Sequence, residues 1–121
     1  MSEEEIVDIL DLMLASISLV NERFSKIGKS EDFVSSSDGV TLLDSISMRL
    51  QVIGESVKLI QKKDPTILYR YADIEWNKIA RFRDLVSHHY EQIDYEIIYD
   101  ICKNHLQKLS SIIQKMIGDL S

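Results

Sequence analysis

Apolar residues recur at helical spacing in four separate stretches of this chain, and this pattern constrains the fold more than any other feature. Intervals of three and four residues place each set on one face of a helix, whereas the alternation typical of strands is missing. The sequence therefore predicts an all-α fold, an up-and-down four-helix bundle. The stripes of the first, second and fourth stretches are Ile6, Ile9, Leu10, Met13, Ile17 and Val20; Leu42, Leu43, Ile46, Leu50, Ile53, Val57 and Ile60; and Ile97, Ile98, Ile101, His105, Leu109, Ile112 and Met116. The third stretch holds the apolar residues Trp76 and Ile79, followed by Arg83.

Capping residues and helix breakers predict where the first two helices begin and end. Ser2 and Glu5 fit a capping box, and Gly28 is a plausible end of the first helix. Residues 28–38 are rich in Ser, Gly, Asp and Glu and read as a loop, in which Ser36 or Ser37 could cap the second helix. That helix must stop before Pro65 because a residue preceding proline is biased away from helix.

The second half of the chain contains one short segment and two further helices. Residues 67–71 read as an irregular or short helical piece, which adds a short extra segment to the bundle. Asp73 is a reasonable cap for the third helix and Asp94 for the fourth.

Length and composition favour a single soluble domain. The chain of 121 residues predicts one domain over 1–121, with 45% hydrophobic and 28% charged residues. No apolar run approaches the roughly 20 residues that span a bilayer, and the acidic start is unlike a signal peptide, so we expect a cytoplasmic protein without membrane contact. The lone cysteine, Cys102, excludes an internal disulfide and is expected to be a small buried side chain.

The net charge of −6 argues against a general nucleic-acid coating protein. A local positive cleft remains possible, because Lys78, Arg81 and Arg83 lie close together in the sequence and beside two histidines. Pairing with a basic partner protein would explain the acidic composition equally well.

The stretch from Arg83 to Tyr90 contains the residues best suited to chemistry. Arginine is a permanently charged fork for phosphate oxygens, and histidine can both accept and release a proton near neutral pH. On an ideal helix Arg83 and Tyr90 lie within roughly 20° of each other, whereas His88 lies about 140° from Arg83. Arg83 and His88 therefore converge only if the helix ends or distorts between them, or if a second chain supplies one of them.

Simpler interpretations of the same residues stay open. Arg83 could form a surface salt bridge with Asp84 or Glu91, and Tyr90 could be a core aromatic. A metal site at His88 and His89 is disfavoured because adjacent histidines on a helix point in different directions. We therefore predict no metal and no cofactor.

The same residues resemble the HepT-like (DUF86) family of the HEPN superfamily. The family pattern is Arg, a polar residue, three further residues, His, any residue and Tyr, and Arg83, Asp84, His88 and Tyr90 match it. Three more segments are similar to family elements, so that the resemblance covers about residues 42–117: Ile53-Gly54-Glu55, Ile74-Glu75-Trp76-Asn77-Lys78-Ile79 and Tyr90-Glu91-Gln92-Ile93-Asp94. Two positions depart from the pattern, since Asp84 replaces the usual Asn and a second histidine follows His88.

The resemblance implies a metal-independent endoribonuclease toxin of a HepT/MNT-type toxin–antitoxin pair. Arg83 and His88 would be the catalytic residues, and Asp84 would orient one of them. Tyr90 would be adenylylated by the partner nucleotidyltransferase antitoxin. Glu55 would support the site from the second helix, and if it is buried it needs Arg81 or Arg83 as a partner.

The expected partners are a second copy in a homodimer, the antitoxin and an RNA substrate such as tRNA or mRNA. Two alternatives remain. One is a non-catalytic HEPN module that binds a nucleotide or docks on a nucleotidyltransferase; the other is a purely structural helical adaptor.

Overall fold

The computed structural model describes residues 2–88 and 94–121, including all of their side chains except those of residues 85–88. Its helices are α1 (Glu3–Phe24), α2 (Ser37–Lys63), α3 (Pro65–Tyr69), α4 (Trp76–His88), α5 (Tyr95–Asp100) and α6 (Leu106–Leu120). A π-helical segment, Ile101–His105, joins α5 to α6, so these three pieces form one continuous rod. The predicted all-α bundle of four long helices with a short extra segment is confirmed.

Three of the predicted helix caps are present. The Ser2 hydroxyl accepts a hydrogen bond from the Glu5 backbone N–H at 3.1 Å, and the Ser36 hydroxyl accepts one from Gly39 at 3.0 Å. The Asp94 carboxylate accepts the Glu96 backbone N–H at 2.8 Å. Each side chain satisfies a donor that the first turn of a helix leaves without a partner.

Two predicted boundaries are wrong. Helix α1 ends at Phe24 instead of Gly28, and a 3₁₀ turn, Ser30–Phe33, follows within the predicted loop. The Asp32 carboxylate holds this connection by accepting the backbone N–H groups of Gly28 and Lys29 at 2.8 and 3.1 Å.

The second wrong boundary is the cap of α4. Asp73 does not cap this helix, because its first backbone hydrogen bonds run from Lys78 and Ile79 to the Glu75 carbonyl. The Trp76 indole N–H donates to the Tyr71 carbonyl at 3.0 Å, which fixes the entry of the chain into α4.

The core lies between α1, α2 and the α5–α6 rod. Helix α1 packs along both α2 and α6, whereas α4 packs closely against α2. Buried side chains include Leu10 and Met13 of α1, Ile53 and Val57 of α2, and Trp76, which is thus a core anchor.

The π-helical segment shifts the buried face of the last rod. The Leu106 N–H bonds to the Ile101 carbonyl five residues back, so that this turn contains one residue more than an α-helical turn. As a result Cys102 and Leu106 are buried, whereas Ile101 is half-buried and His105 is exposed. The apolar stripe read from the sequence contains Ile101 and His105, at positions next to these two buried residues.

Within the described residues, no helix combines the length and the apolar character needed to cross a bilayer.

Candidate active site

Arg83 sits where α4 crosses α2 at very short distance, and Gly54 makes that approach possible. A Cβ atom built at position 54 would lie 2.6 Å from the Arg83 Cβ and 2.9 Å from the Ile79 carbonyl oxygen. Real Cβ atoms do not tolerate such distances, so a glycine is required at this point of α2. The residue packed against Gly54 is thus Arg83.

The guanidinium of Arg83 is paired with two carboxylates. Its Nε lies 3.3 Å from Oε1 of Glu55, and its Nη1 lies 3.4 Å from Oδ1 of Asp84. The expected pairing of Glu55 with Arg83 is therefore present. However, Glu55 is not buried, since 49% of its side chain is exposed. The Arg83 side chain is 32% exposed and remains accessible to a ligand.

Lys58 completes this cluster, and it was not among the residues that the sequence singled out. Its Nζ lies 2.7 Å from the same Asp84 Oδ1 that Arg83 contacts. The hydrogen bond from Lys58, together with the one from Arg83, holds the pKa of Asp84 below its usual value. We call Glu55, Lys58, Arg83 and Asp84 the charge quartet; its formal charges sum to zero.

A signal for Lys58 was present in the sequence. Lys58 follows Glu55 by three residues, and residues at that spacing lie on the same face of a helix. Glu55 was recognised as a supporting residue, so the neighbouring cation on its face could have been recognised as well. What the sequence could not show is that Lys58 reaches across to α4.

The remaining motif residues lie at or beyond the end of α4. Residue 88 is the last of that helix, and the side chain of His88 lies outside the described residues, as do His89 and Tyr90 entirely. The backbone is α-helical from Trp76 to His88, without an ending or distortion between positions 83 and 88. On an ideal helix these positions stay about 140° apart around the axis.

An open groove of ≈ 900 Å³ runs beside the charge quartet, between α4, α2 and the α5–α6 rod. Leu50, Ile53, Phe82 and Ile101 contribute to its apolar lining. Asp84 belongs both to the groove and to the charge quartet, so the two features are adjacent. The groove exists because α4 packs on α2 and stands apart from the last helical rod.

His105 occupies the rim of the groove on the rod. Its Nε2 lies 3.1 Å from Oδ2 of Asp100, and 64% of its side chain is exposed. It is thus a helix-surface histidine, although it belongs to the apolar stripe of the sequence. Among the described residues, no three His, Cys, Asp or Glu side chains are grouped so that they could hold a metal ion.

Arg83 and Lys58 lie on adjacent helices with part of each side chain accessible, and the surrounding bundle is all-α in the described residues. Residues 13–116 match the family model described as Ribonuclease HepT-like. The chain therefore belongs to the HepT-like family, and the resemblance found in the motif residues is confirmed.

Curated relatives agree with this assignment. A candidate RNase of Methanocaldococcus jannaschii is 38% identical over 71 residues, which cover 59% of this chain and 56% of that protein. A second candidate RNase of the same organism is 27% identical over 93% of this chain and 90% of its own length. One from Caldanaerobacter subterraneus subsp. tengcongensis is 28% identical over 89% of this chain and 90% of its own. No solved structure matches the chain significantly.

Proposed function

We propose that this protein is a metal-independent endoribonuclease, the toxin of a HepT/MNT-type toxin–antitoxin pair. The observation that carries the proposal is the position of Arg83. The arginine of the family motif is held at the Gly54 crossing, with about a third of its side chain open to solvent. A planar cation that is fixed at its base and partly open to solvent suits a phosphodiester.

The proposed reaction uses the 2′-hydroxyl of RNA as the nucleophile. A His88 imidazole takes the proton of this hydroxyl while the 2′-oxygen forms a bond to phosphorus. The bond to the 5′-oxygen breaks, and the same imidazole returns the proton to that oxygen as it leaves. Arg83 stabilises the charge that builds on the phosphoryl oxygens. The products carry a 2′,3′-cyclic phosphate, or the 3′-phosphate formed from it, and DNA is not cleaved.

A homodimer would bring Arg83 and His88 together. Because α4 is regular up to His88, one chain does not bring positions 83 and 88 to the same face of the helix. Arg83 of one copy and His88 of a second copy would meet if two α4 helices faced each other. The open groove beside α4 leaves space for a second copy to approach that helix.

Tyr90 would be the point of control by the antitoxin. A nucleotidyltransferase partner would transfer AMP from ATP to the phenol oxygen and release pyrophosphate. The added group is bulky and negatively charged, and position 90 lies within roughly 20° of Arg83 on an ideal helix. It would exclude the substrate phosphate both by occupancy and by repulsion.

Incubation of the purified protein with total RNA and tRNA in EDTA tests the proposal. We expect cleavage by the wild type, and a loss on the order of 100-fold or more in Arg83→Ala and His88→Ala. Arg70→Ala is the matched control, because Arg70 is an exposed arginine at the end of α3. Cleavage that survives Arg83→Ala would contradict the proposed site.

The alternative is a non-catalytic module that binds a nucleotide or docks on a nucleotidyltransferase. The observation in its favour is that Arg83 is paired with two carboxylates, which reduces the positive field at the site. A folded dimer that binds ATP or AMP and leaves every RNA intact would establish this alternative.

A further inference from the structure

We infer that Lys58 is a second phosphate-binding residue of the candidate site, and that the Asp84 carboxylate occupies the place of a phosphate oxygen in the free protein. This inference rests on the proposed function, in which RNA is the ligand. It adds a phosphate-binding residue from α2 to Arg83 of α4.

The geometry of one oxygen atom carries the inference. Asp84 Oδ1 lies 2.7 Å from Lys58 Nζ and 3.4 Å from Arg83 Nη1, so two cations from different helices converge on the same oxygen. An ammonium and a guanidinium around one anionic oxygen are the arrangement that proteins use for a non-bridging phosphate oxygen. The carboxylate therefore marks where such an oxygen can be bound.

Both cations can exchange Asp84 for a ligand. The Lys58 side chain is 42% exposed and that of Asp84 is 44% exposed, so neither is enclosed by the core. An exposed ion pair contributes little to stability, so that a phosphate competes with the carboxylate at little cost. Lys58 has four flexible methylene groups, which allow its ammonium to follow a ligand over a short distance.

Asp84 has a second effect on the same site. While it is bound to Lys58 and Arg83, it cancels the positive charge that would attract RNA. Removing this carboxylate should therefore tighten RNA binding, and removing Lys58 should weaken it whether or not Asp84 is present. Weaker binding without Lys58 even when Asp84 is absent would show that Lys58 binds RNA directly. In a purely structural role, Lys58 would only keep Asp84 away from Arg83.

The experiment measures binding of a 2′-O-methyl RNA oligonucleotide by fluorescence anisotropy at several salt concentrations. This probe lacks the nucleophilic hydroxyl, so that binding is measured without cleavage. The proteins are wild type, Lys58→Gln, Asp84→Asn and the double variant. Lys62→Gln is the matched control, because Lys62 is an exposed lysine one turn further along α2.

We expect Lys58→Gln to weaken binding about tenfold and to reduce the salt slope by about 0.7, as for one lost phosphate contact on a single strand. Lys62→Gln should change the affinity less and leave the slope unchanged. Asp84→Asn should bind more tightly than wild type, and adding Lys58→Gln to it should again cost about tenfold.

Equal binding by Asp84→Asn and the double variant would overturn the inference, as would a wild type that does not bind the oligonucleotide. A parallel assay on unmodified RNA keeps the proposed function separate. Binding that depends on Lys58 without cleavage would support the inference while contradicting the nuclease.

Discussion

Helices α1 and α4 both pack against α2, but their surroundings differ. Helix α1 also packs against α6, and its side chains Ile6, Leu10, Met13 and Val20 are completely buried. Among the described side chains of α4, only Trp76 and Ala80 are buried. Besides its contact with α2, this helix borders the open groove. The charge quartet lies on the α2–α4 side of the molecule.

This difference separates the part that stabilises the fold from the part proposed to act on RNA. Burial of apolar area is the main favourable term in folding, and most of the completely buried side chains lie outside α4. Arg83 is held by one close crossing and by exposed ion pairs, which contribute little to stability. Substitutions in the core around α1 and substitutions on the α2–α4 side should therefore have different effects.

The largest expected effect is the loss of a core side chain of α1. Leu10→Ala should lower the free energy of unfolding by about 2–5 kcal/mol, because it leaves a cavity where the side chain is completely buried. Ile79→Ala in α4 should cost about 1–2 kcal/mol, since Ile79 is only half-buried. Leu12→Ala, at a position that is 50% exposed on α1, is the control and should have little effect. Urea denaturation measures all three, and equal losses for Leu10→Ala and Ile79→Ala would contradict the comparison.

Gly54→Ala tests the close crossing that holds α4. The new methyl group would meet Arg83 and the Ile79 carbonyl, so α4 must shift, and we expect a loss of about 1–3 kcal/mol together with lost RNA cleavage. Gly118→Ala is the control, because a Cβ there has no neighbour within 4 Å. That variant should be neutral or up to about 1 kcal/mol more stable, since alanine favours helix. A stable and active Gly54→Ala protein would show that the crossing does not position Arg83.

The pH dependence of stability tests whether the Cys102 thiol is buried. Burial raises the pKa of its thiol to about 12, whereas the thiol of an unfolded chain ionises near about 8.5. Above that pH the folded protein retains a proton that the unfolded chain loses, so stability falls as pH rises. We expect the free energy of unfolding to fall by about 2 kcal/mol between pH 8.5 and 10.

The measurement for Cys102 is urea denaturation at several pH values beside Cys102→Ala, in which this component of the pH dependence should disappear. Identical pH dependence of the two proteins would mean that the thiol is not shielded. Iodoacetamide offers a second readout, because the buried thiol should react only as the protein unfolds.

A single hydrogen bond ties the connection before α4 to the end of α6. The Tyr71 hydroxyl donates to Asp119 Oδ2 at 2.5 Å, and this bond raises the pKa of Tyr71. Tyr71→Phe should cost about 1 kcal/mol, whereas Tyr69→Phe, at a position that is 74% exposed, should cost nothing measurable. Equal stability of the two variants would show that the Tyr71–Asp119 hydrogen bond does not contribute to stability.

The sequence predicted the helices well because apolar spacing and caps are local features. Ser2, Ser36 and Asp94 act as caps where their neighbours require one. The burial of Cys102 was predicted, but that of Leu106 was not, since a π-helical turn rotates the rod and apolar spacing alone does not show that turn. The prediction of Asp73 as a cap was wrong, because the first hydrogen bonds of α4 run to the Glu75 carbonyl.

The candidate site was predictable only where its residues belong to an element of the family pattern. Arg83 and Asp84 were recognised from a motif that lies on α4, and Glu55 from the element around Gly54. Lys58 was missed because its partner, Asp84, is 26 residues away and is brought close by the crossing of two helices. Contacts of this kind depend on helix packing, which single-chain periodicity does not specify.

The most direct test of the composite site is a mixture of two inactive variants. Arg83→Ala and His88→Ala are purified, mixed under conditions that exchange subunits, and assayed for RNA cleavage in EDTA. If each site takes Arg83 from one copy and His88 from the other, mixed dimers contain one intact site, and the mixture should recover about a quarter of wild-type activity. A mixture as inactive as either variant alone, despite proven subunit exchange, would contradict a site shared between two copies.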